Sequence, residues 1–369
     1  MPAPPMTLET VMGLARVVTL SSEQSESVKS LHDGYRLQWA RASERLKEFH
    51  EGLRDPTNGL SIEEQYSRDW LAFSRFSKHL DTLKRQLLLD LQQVLTEEQQ
   101  PSWPRFERRL RRIEYCAATS CCAIGSNVDL VAIVEQVLGP TALSPVVDRL
   151  LESYEVAFDS ARMRALEERE RWQQQWVERQ PPGPASFEDH DARGAVEAAI
   201  ARTRPLQALH MDYLRRLGEC TKPEAHSKIQ NLFYSKASLS DCASISFSVV
   251  HPGPKLTPAE IIDAVQRLPN LREDQRRAVD EVADRYHKTA FELRRDRFEA
   301  IMRVERDPSA WDRWGKFESR EVSGIEYEAV GVRWGTIQRL YDIVTKDQAV
   351  HLPVPLSLKG IEQPVFDDP

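Results

Sequence analysis

Long amphipathic helices are predicted by the spacing of the apolar residues. From residue 28 to residue 53, apolar side chains recur every three or four positions and charged residues fill the positions between them. This spacing places one apolar stripe along about seven helical turns. The sequence Asp-Pro-Thr-Asn-Gly at 55–59 interrupts the pattern, and a second stripe follows. The first stripe is Val28, Leu31, Tyr35, Trp39, Ala42, Leu46, Phe49 and Leu53, and the second is Trp70, Phe73, Leu80, Leu83, Leu87, Leu91 and Val94.

The same spacing of landmark residues occurs three times along the chain. Tyr35, Tyr154 and Tyr286 each follow a valine by seven residues and a leucine or valine by four. Threonines at positions 96, 221 and 345 form a second set, 125 and 124 residues apart, and the two sets alternate. This periodicity predicts three tandem copies of one helical unit, at 1–115, 128–239 and 256–352, followed by an extended proline-rich tail at 353–369.

Each predicted unit is a long helical hairpin preceded by a short helix, which makes the fold class all-α. A hairpin buries only one stripe of each helix, so we expect the units to pack as an elongated or curved helical assembly or against another chain. The composition agrees, because the 369 residues include 29% charged residues and only 15 glycines. The net charge of −7 argues against a dedicated nucleic-acid-binding protein. The sequence contains no run of about 18 apolar residues, so it predicts no membrane-spanning helix.

A short motif recurs beside the landmarks and has the form of a helix cap. In Leu95-Thr96-Glu97-Glu98-Gln99, the threonine hydroxyl can accept from the backbone three residues on, and the glutamine can reach back to the threonine N–H. Leu20, Ser21 and Gln24 offer the same arrangement. A cap of this kind contributes about 1 kcal/mol. Capping alone explains each motif singly but not their alternating order.

That order resembles the CpxP/Spy family of periplasmic LTxxQ-motif proteins. Leu95–Gln99 matches the motif in full, and the segments at 20–24 and 344–348 each match with one substitution. The other copies retain fewer of the motif residues, and the middle unit has lost the most of them. The family-like positions are Leu20, Ser21, Gln24, Leu95, Thr96, Gln99, Thr221, Leu271, Gln275, Thr345 and Gln348.

The resemblance implies a curved all-helical cradle, usually made by two chains, that holds unfolded proteins or reports envelope stress. It also implies a periplasmic or exported protein, although the N-terminal sequence shows no signal peptide, which leaves a cytoplasmic location open. Some members of the family bind zinc. The expected partners are therefore unfolded or partner proteins, with a homo-oligomer as a further expectation.

No catalytic signature is present, so we expect a non-enzymatic protein without catalytic residues and without a required cofactor. Zinc is the alternative cofactor, with Asp189 and His190 in one acidic segment and Asp284 and His287 on one helical face as candidate ligands. Capping and solvation are the simpler interpretations of both pairs. The arginines at 105, 108, 109, 111 and 112 are expected to form a solvated helix face.

Three hypotheses about function follow. The first is an ATP-independent chaperone-like or envelope-stress-sensing protein that holds partly unfolded clients on a concave amphipathic helical surface. The second is a metal-responsive zinc-binding protein, and the third is a structural helical-repeat scaffold. An enzyme of an unrecognised helical class is the remaining alternative.

Overall fold

The computed structural model describes residues 6–54, 59, 61–118, 123–140, 142–179, 192–239, 257–307 and 319–352. These residues form α-helices and the short 3-10 helices Gly13–Arg16 and Gln100–Ser102, joined by turns and with no strand among them, and the predicted all-α class is confirmed. No described helix is both long enough and apolar enough to cross a membrane. The helices are α1 (Leu8–Met12), α2 (Ser22–Arg54), α3 (Ile62–Gln93), α4 (Trp103–Ala118), α5 (Leu130–Leu138), α6 (Pro145–Arg179), α7 (Ala192–Cys220), α8 (Pro223–Leu239), α9 (Pro258–Gln266), α10 (Glu273–Val304), α11 (Arg320–Ile343) and α12 (Lys346–Ala349).

The folded chain divides into two compact units. The first unit comprises Met1–Ala118 and Leu151–Asp159, and the second comprises Thr119–Leu150 and Ser160–Pro369. This division does not test the predicted sequence repeat, so three tandem copies with the boundaries given above stay a prediction. The predicted tail at 353–369 lies outside the described residues.

The first unit is built on the hairpin of α2 and α3. Ser61 begins α3 with a capping box, in which its hydroxyl accepts from the Glu64 backbone and the Glu64 carboxylate accepts from Ser61. Most of the first predicted stripe faces the core, which α1 and α4 complete. Phe49 is the exception, with 42% of its surface exposed. The buried members of this core include Val11, Leu14, Val28, Tyr35, Leu87, Leu91, Phe106 and Leu110.

Buried charge joins α4 to the segment of α6 that belongs to the first unit. Arg112 is only 1% exposed and forms an ion pair with the equally buried Glu155. Arg111 binds Asp159 through two hydrogen bonds, Nε to Oδ1 at 2.8 Å and a terminal nitrogen to Oδ2 at 2.7 Å. The expectation that the basic run forms a solvated face is therefore wrong for Arg112, while Arg111 keeps 33% of its side chain exposed. Both arginines face carboxylates that α6 supplies.

The second unit contains a second long hairpin, α10 with α11, on which α9 packs. Its core includes Ile261, Val265, Val279, Ile337 and Leu340. Further along α10, Phe298 packs against Phe233 of α8, with ring centroids 5.8 Å apart.

A tight turn around Gly125 contacts the rings of Phe233 and Phe298. Gly125 has a φ of +74°, and a Cβ atom there would lie 2.8 Å from the Phe298 ring. Both the backbone conformation and the close approach therefore require glycine.

Breaking the buried ion pair should destabilise the protein more than removing it. We expect Arg112→Met to lower the free energy of unfolding by about 3 kcal/mol, because Glu155 is left buried without its closest partner. The double variant Arg112→Met/Glu155→Met should lose much less, because no buried charge remains. Denaturant unfolding of both variants tests this, and equal losses in the two would contradict it.

Candidate functional site

The motif residues of the first unit form hydrogen bonds at both local and long range. Gln24 Oε1 accepts from the Ser21 N–H at 2.9 Å, and the Ser21 hydroxyl accepts from the Gln24 N–H at 3.1 Å. Gln99 Oε1 accepts from the Thr96 N–H at 3.0 Å. Gln24 thus caps the start of α2 through its oxygen. The predicted helix cap at Thr96 is wrong: Gln99 closes a turn at 96–99 ahead of a short 3-10 helix, and its N–H donates to the Thr96 carbonyl, not the hydroxyl, at 3.0 Å. In both glutamines the NH₂ group is left to bond elsewhere.

Those NH₂ groups connect the two motifs to each other. Gln24 Nε2 donates to the Val94 carbonyl and to Gln99 Oε1, both at 2.8 Å. Gln99 Nε2 donates to the Thr19 carbonyl at 2.7 Å and makes a longer contact of 3.3 Å with Gln24 Oε1. We call this reciprocal pair the first clasp. It ties the start of α2 to the end of α3, 75 residues away in sequence.

The second unit contains a clasp of the same pattern. Gln275 Nε2 donates to the Ile343 carbonyl at 2.7 Å and to Gln348 Oε1 at 3.0 Å. Gln348 Nε2 donates to the Asn270 carbonyl at 2.8 Å. Thr345 and Gln348 also form a capping box, and Gln275 Oε1 accepts from the Arg272 N–H at 3.0 Å. This second clasp joins the start of α10 to the end of α11.

The apolar residue that precedes each cap packs inward. Leu95 and Leu271 are buried, and Leu20 is half-buried. In the middle of the chain the glutamines are replaced by Val147 and Glu224. There the Thr221 hydroxyl donates to the Leu217 carbonyl at 2.7 Å within the end of α7. Thr221 therefore takes part in a local helix-end contact and not in a clasp.

A groove lies on the α2–α3 hairpin, away from the first clasp. It has a volume of about 510 Å³. Its floor is the small buried cluster of Ala42, Leu46 and Phe76. Phe49 and Leu71 stand on the floor as exposed apolar side chains, the latter 50% exposed. The floor is therefore apolar and partly open to solvent.

The rim of this groove is basic. Arg45, Arg68, Arg75 and His79 line it, and all four side chains are exposed. In the part of the chain that the structure describes, neither Arg45 nor Arg75 makes an ion pair. An apolar floor with an arginine rim suits a ligand that offers both apolar and acidic groups. We call this feature the arginine-rimmed groove.

Sequence reasoning did not anticipate the arginine-rimmed groove. It placed Phe49 in the buried stripe and did not single out Arg45 or Arg75. The only signal was that arginines stand at 68 and 75 on α3 and at 45 on α2, close to apolar positions. Their meeting across the hairpin depends on the register of the two helices.

A buried polar network in the second unit was also missed. Glu305 is 6% exposed, and its carboxylate accepts from the Ile124 N–H at 2.7 Å and from Gln207 Nε2 at 3.0 Å. The Ala123 N–H donates to the Thr203 hydroxyl at 2.7 Å. These contacts hold the turn at 123–125 against α7 and the end of α10. No feature of the sequence links residues so far apart.

His210 belongs to the same network. Its Nδ1 lies 2.8 Å from the Gly125 carbonyl, so the neutral ring donates there. Complete burial is the main reason that its pKa is lowered to about 4; the Gly125 hydrogen bond and the charge of Asp129 act in the opposite direction but are weaker. His210 is therefore neutral at pH 7.

Of the predicted metal ligands, only Asp284 and His287 fall within the described residues. Asp189 and His190 lie outside them. Asp284 and His287 are both exposed on α10, and no group of three potential ligands occurs in the described part of the chain. Zinc binding stays a prediction.

Comparison with protein-family models, with curated proteins and with solved structures finds no match for this chain. The resemblance to the LTxxQ-motif proteins therefore rests on the motif residues alone and stays a prediction.

The capping and clasping roles of Gln24 can be separated by one substitution. Gln24→Glu keeps an oxygen for the Ser21 N–H but cannot donate to Val94 or Gln99 when ionised. We expect the free energy of unfolding to fall by about 1–2 kcal/mol at pH 7, because half-buried acceptors lose their donor. The matched control is Glu64→Gln in the cap of α3, which should change little. Equal small effects in the two variants would show that Gln24 is only a cap.

Protonation of His210 should weaken the fold in acid. Its pKa is lower in the folded state than the ordinary 6.5, so the unfolded chain binds the extra proton first as the pH falls. Between pH 6.5 and 4 stability should fall, by up to about 3 kcal/mol from this group. His210→Asn retains a side-chain NH₂ donor but cannot titrate. Its unfolding free energy should therefore depend less steeply on pH across that range, and identical slopes in the two proteins would contradict the assignment.

Proposed function

We propose that this chain is a non-enzymatic holding protein that binds segments of partly unfolded client proteins in the arginine-rimmed groove without ATP. The observation that carries this proposal is the apolar groove between α2 and α3, where Phe49 and Leu71 are exposed beside Arg45 and Arg75, neither of which forms an ion pair among the described residues. Folded clients bury their apolar side chains, whereas unfolded ones expose them beside charged residues. The groove therefore favours the unfolded form of a client.

The chemistry of the rim supports binding without strict sequence preference. A guanidinium group binds carboxylates and also stacks on aromatic rings, so one arginine accommodates several kinds of client residue. Phe49 and Leu71 supply apolar contact beside Arg45 and Arg75. Contacts of both kinds are weak singly, which suits reversible holding.

Release in this proposal follows from folding of the client. The sequence contains no phosphate-binding loop to couple release to ATP hydrolysis. A client that buries its own apolar surface loses its contacts with the groove and dissociates. A stress-reporting role and a periplasmic or exported location rest on the LTxxQ resemblance and stay predictions.

The apolar part of the groove can be tested by suppression of client aggregation. The assay uses a chemically unfolded client and no ATP. We expect Phe49→Ala/Leu71→Ala to raise the amount of protein needed for half-suppression by about tenfold or more. Fully burying such a side chain contributes about 1.5–3 kcal/mol, and each of these two is about half exposed before binding. The matched control is Leu37→Ala/Leu89→Ala, since Leu37 and Leu89 are similarly exposed on α2 and α3, at 53% and 49%, but do not line the groove. The control should behave as the unmodified protein.

The charged part is tested in the same assay. Arg45→Gln/Arg75→Gln should weaken suppression, and added salt should weaken the unmodified protein more than this variant, because salt screens exposed charge. Arg36→Gln/Arg41→Gln changes two exposed α2 arginines outside the groove and is the control. The proposal fails if the unmodified protein does not suppress aggregation in large excess, or if control and groove variants lose activity equally.

A further inference from the structure

A second cavity lies in the other unit, between α10 and α11. Its volume is about 420 Å³, which falls in the range of small-molecule sites. Val282, Arg285 and Tyr286 of α10 form one wall, and Gly331, Gly335 and Arg339 of α11 form the other. It is separate from the arginine-rimmed groove, and the inference drawn from it does not depend on the proposed function.

The two glycines keep this cavity open. A Cβ atom at Gly331 or Gly335 would meet no heavy atom within 4 Å, and neither residue has a positive φ. Internal packing and backbone conformation therefore do not require glycine at either position. A glycine inside a helix is also less favourable than alanine. What the missing side chains provide is space beside the α11 backbone.

The groups around this space are suited to an anion with an apolar part. Arg285 and Arg339 are exposed at its edge, and within the described residues neither forms an ion pair. Among the described residues, Glu328 is the one acidic residue that lines the cavity, and against two arginines it leaves their lining with a net positive charge. The half-buried valines at 282 and 332 provide apolar surface.

Tyr286 adds a hydrogen-bond donor. Its counterpart in the first predicted repeat, Tyr35, accepts a hydrogen bond from the Met6 N–H at 3.4 Å. Tyr286 lines the cavity, and its hydroxyl forms no hydrogen bond with another described residue. Burial raises the pKa of Tyr286, so the hydroxyl keeps its proton at pH 7.

We infer that the α10–α11 cavity binds a small organic carboxylate with an apolar body. The carboxylate lies toward Arg285, Arg339 and the Tyr286 hydroxyl, where charge and hydrogen bonding favour it. The apolar body lies against Val282 and Val332, in the space left by Gly331 and Gly335.

Calorimetric titration of the full chain with octanoate tests this inference, with octan-1-ol as a neutral probe of the same length. Octanoate should bind with a Kd below about 1 mM, and the alcohol should bind more weakly. Arg285→Gln and Arg339→Gln should each weaken octanoate binding up to about fivefold, whereas Glu328→Gln should strengthen it by a similar factor, as expected for exposed charges. Arg276→Gln, on the same helix but outside the cavity, should have no effect.

Filling the cavity provides the steric test. Gly335→Leu should abolish octanoate binding, while Gly324→Leu, at an open position of α11 outside the cavity, should leave it unchanged. If Gly335→Leu does not fold, Gly335→Ala takes its place; it should raise Tm by about 2–4 °C while weakening binding. Absence of octanoate binding, equal binding of the alcohol, or binding that the Gly335 variants leave intact would overturn the inference.

Discussion

The constraint on which both hairpins depend is the relative register of two long helices. Each helix buries only one stripe, and a shift of one helix along the other would move apolar residues off the core at several turns at once. The glutamine clasps oppose such a shift at the end of each hairpin. A glutamine amide has one oxygen and one NH₂ group, so it can cap its own helix and also bind the opposite chain segment. Gln24, Gln275 and Gln348 use both capacities, whereas the Gln99 oxygen closes the turn at 96–99.

Because the clasps fix the end of each hairpin, the middle of the hairpin can tolerate incomplete packing. On α2 and α3 this leaves Phe49 and Leu71 exposed among arginines, and on α10 and α11 it leaves an open space at Gly331 and Gly335. Both hairpins are closed by a glutamine clasp, but different residues line the groove of the first and the cavity of the second. The first opening has a basic rim, which suits the extended polypeptide proposed as its ligand. The second is smaller and has a tyrosine hydroxyl and two arginines, which favours a small carboxylate.

Buried polar groups give each unit its specific contacts. In the first unit the Arg112–Glu155 pair fixes α4 against a segment of α6. In the second, Glu305, Gln207 and His210 hold the turn at 123–125, where Gly125 meets the ring of Phe298. Such groups are costly to bury unless they are paired, so they favour one arrangement of helices over others of similar apolar content. His210 also makes the second unit sensitive to acid, since its ring is held neutral by burial.

The sequence by itself determined the helices, because apolar spacing and capping residues act within a few turns of one helix. The stripe from Val28 to Leu53 and the starts of α2 and α12 were predictable for that reason. Only the tertiary structure decided which polar groups meet. Gln24 and Gln99 are 75 residues apart, Arg112 and Glu155 are 43 apart, and Ile124 and Glu305 are 181 apart. A helical period shows which face of a helix is apolar but not which helix will cover it. The burial of Arg112, the exposure of Phe49 and the two openings therefore depended on how the helices pack together.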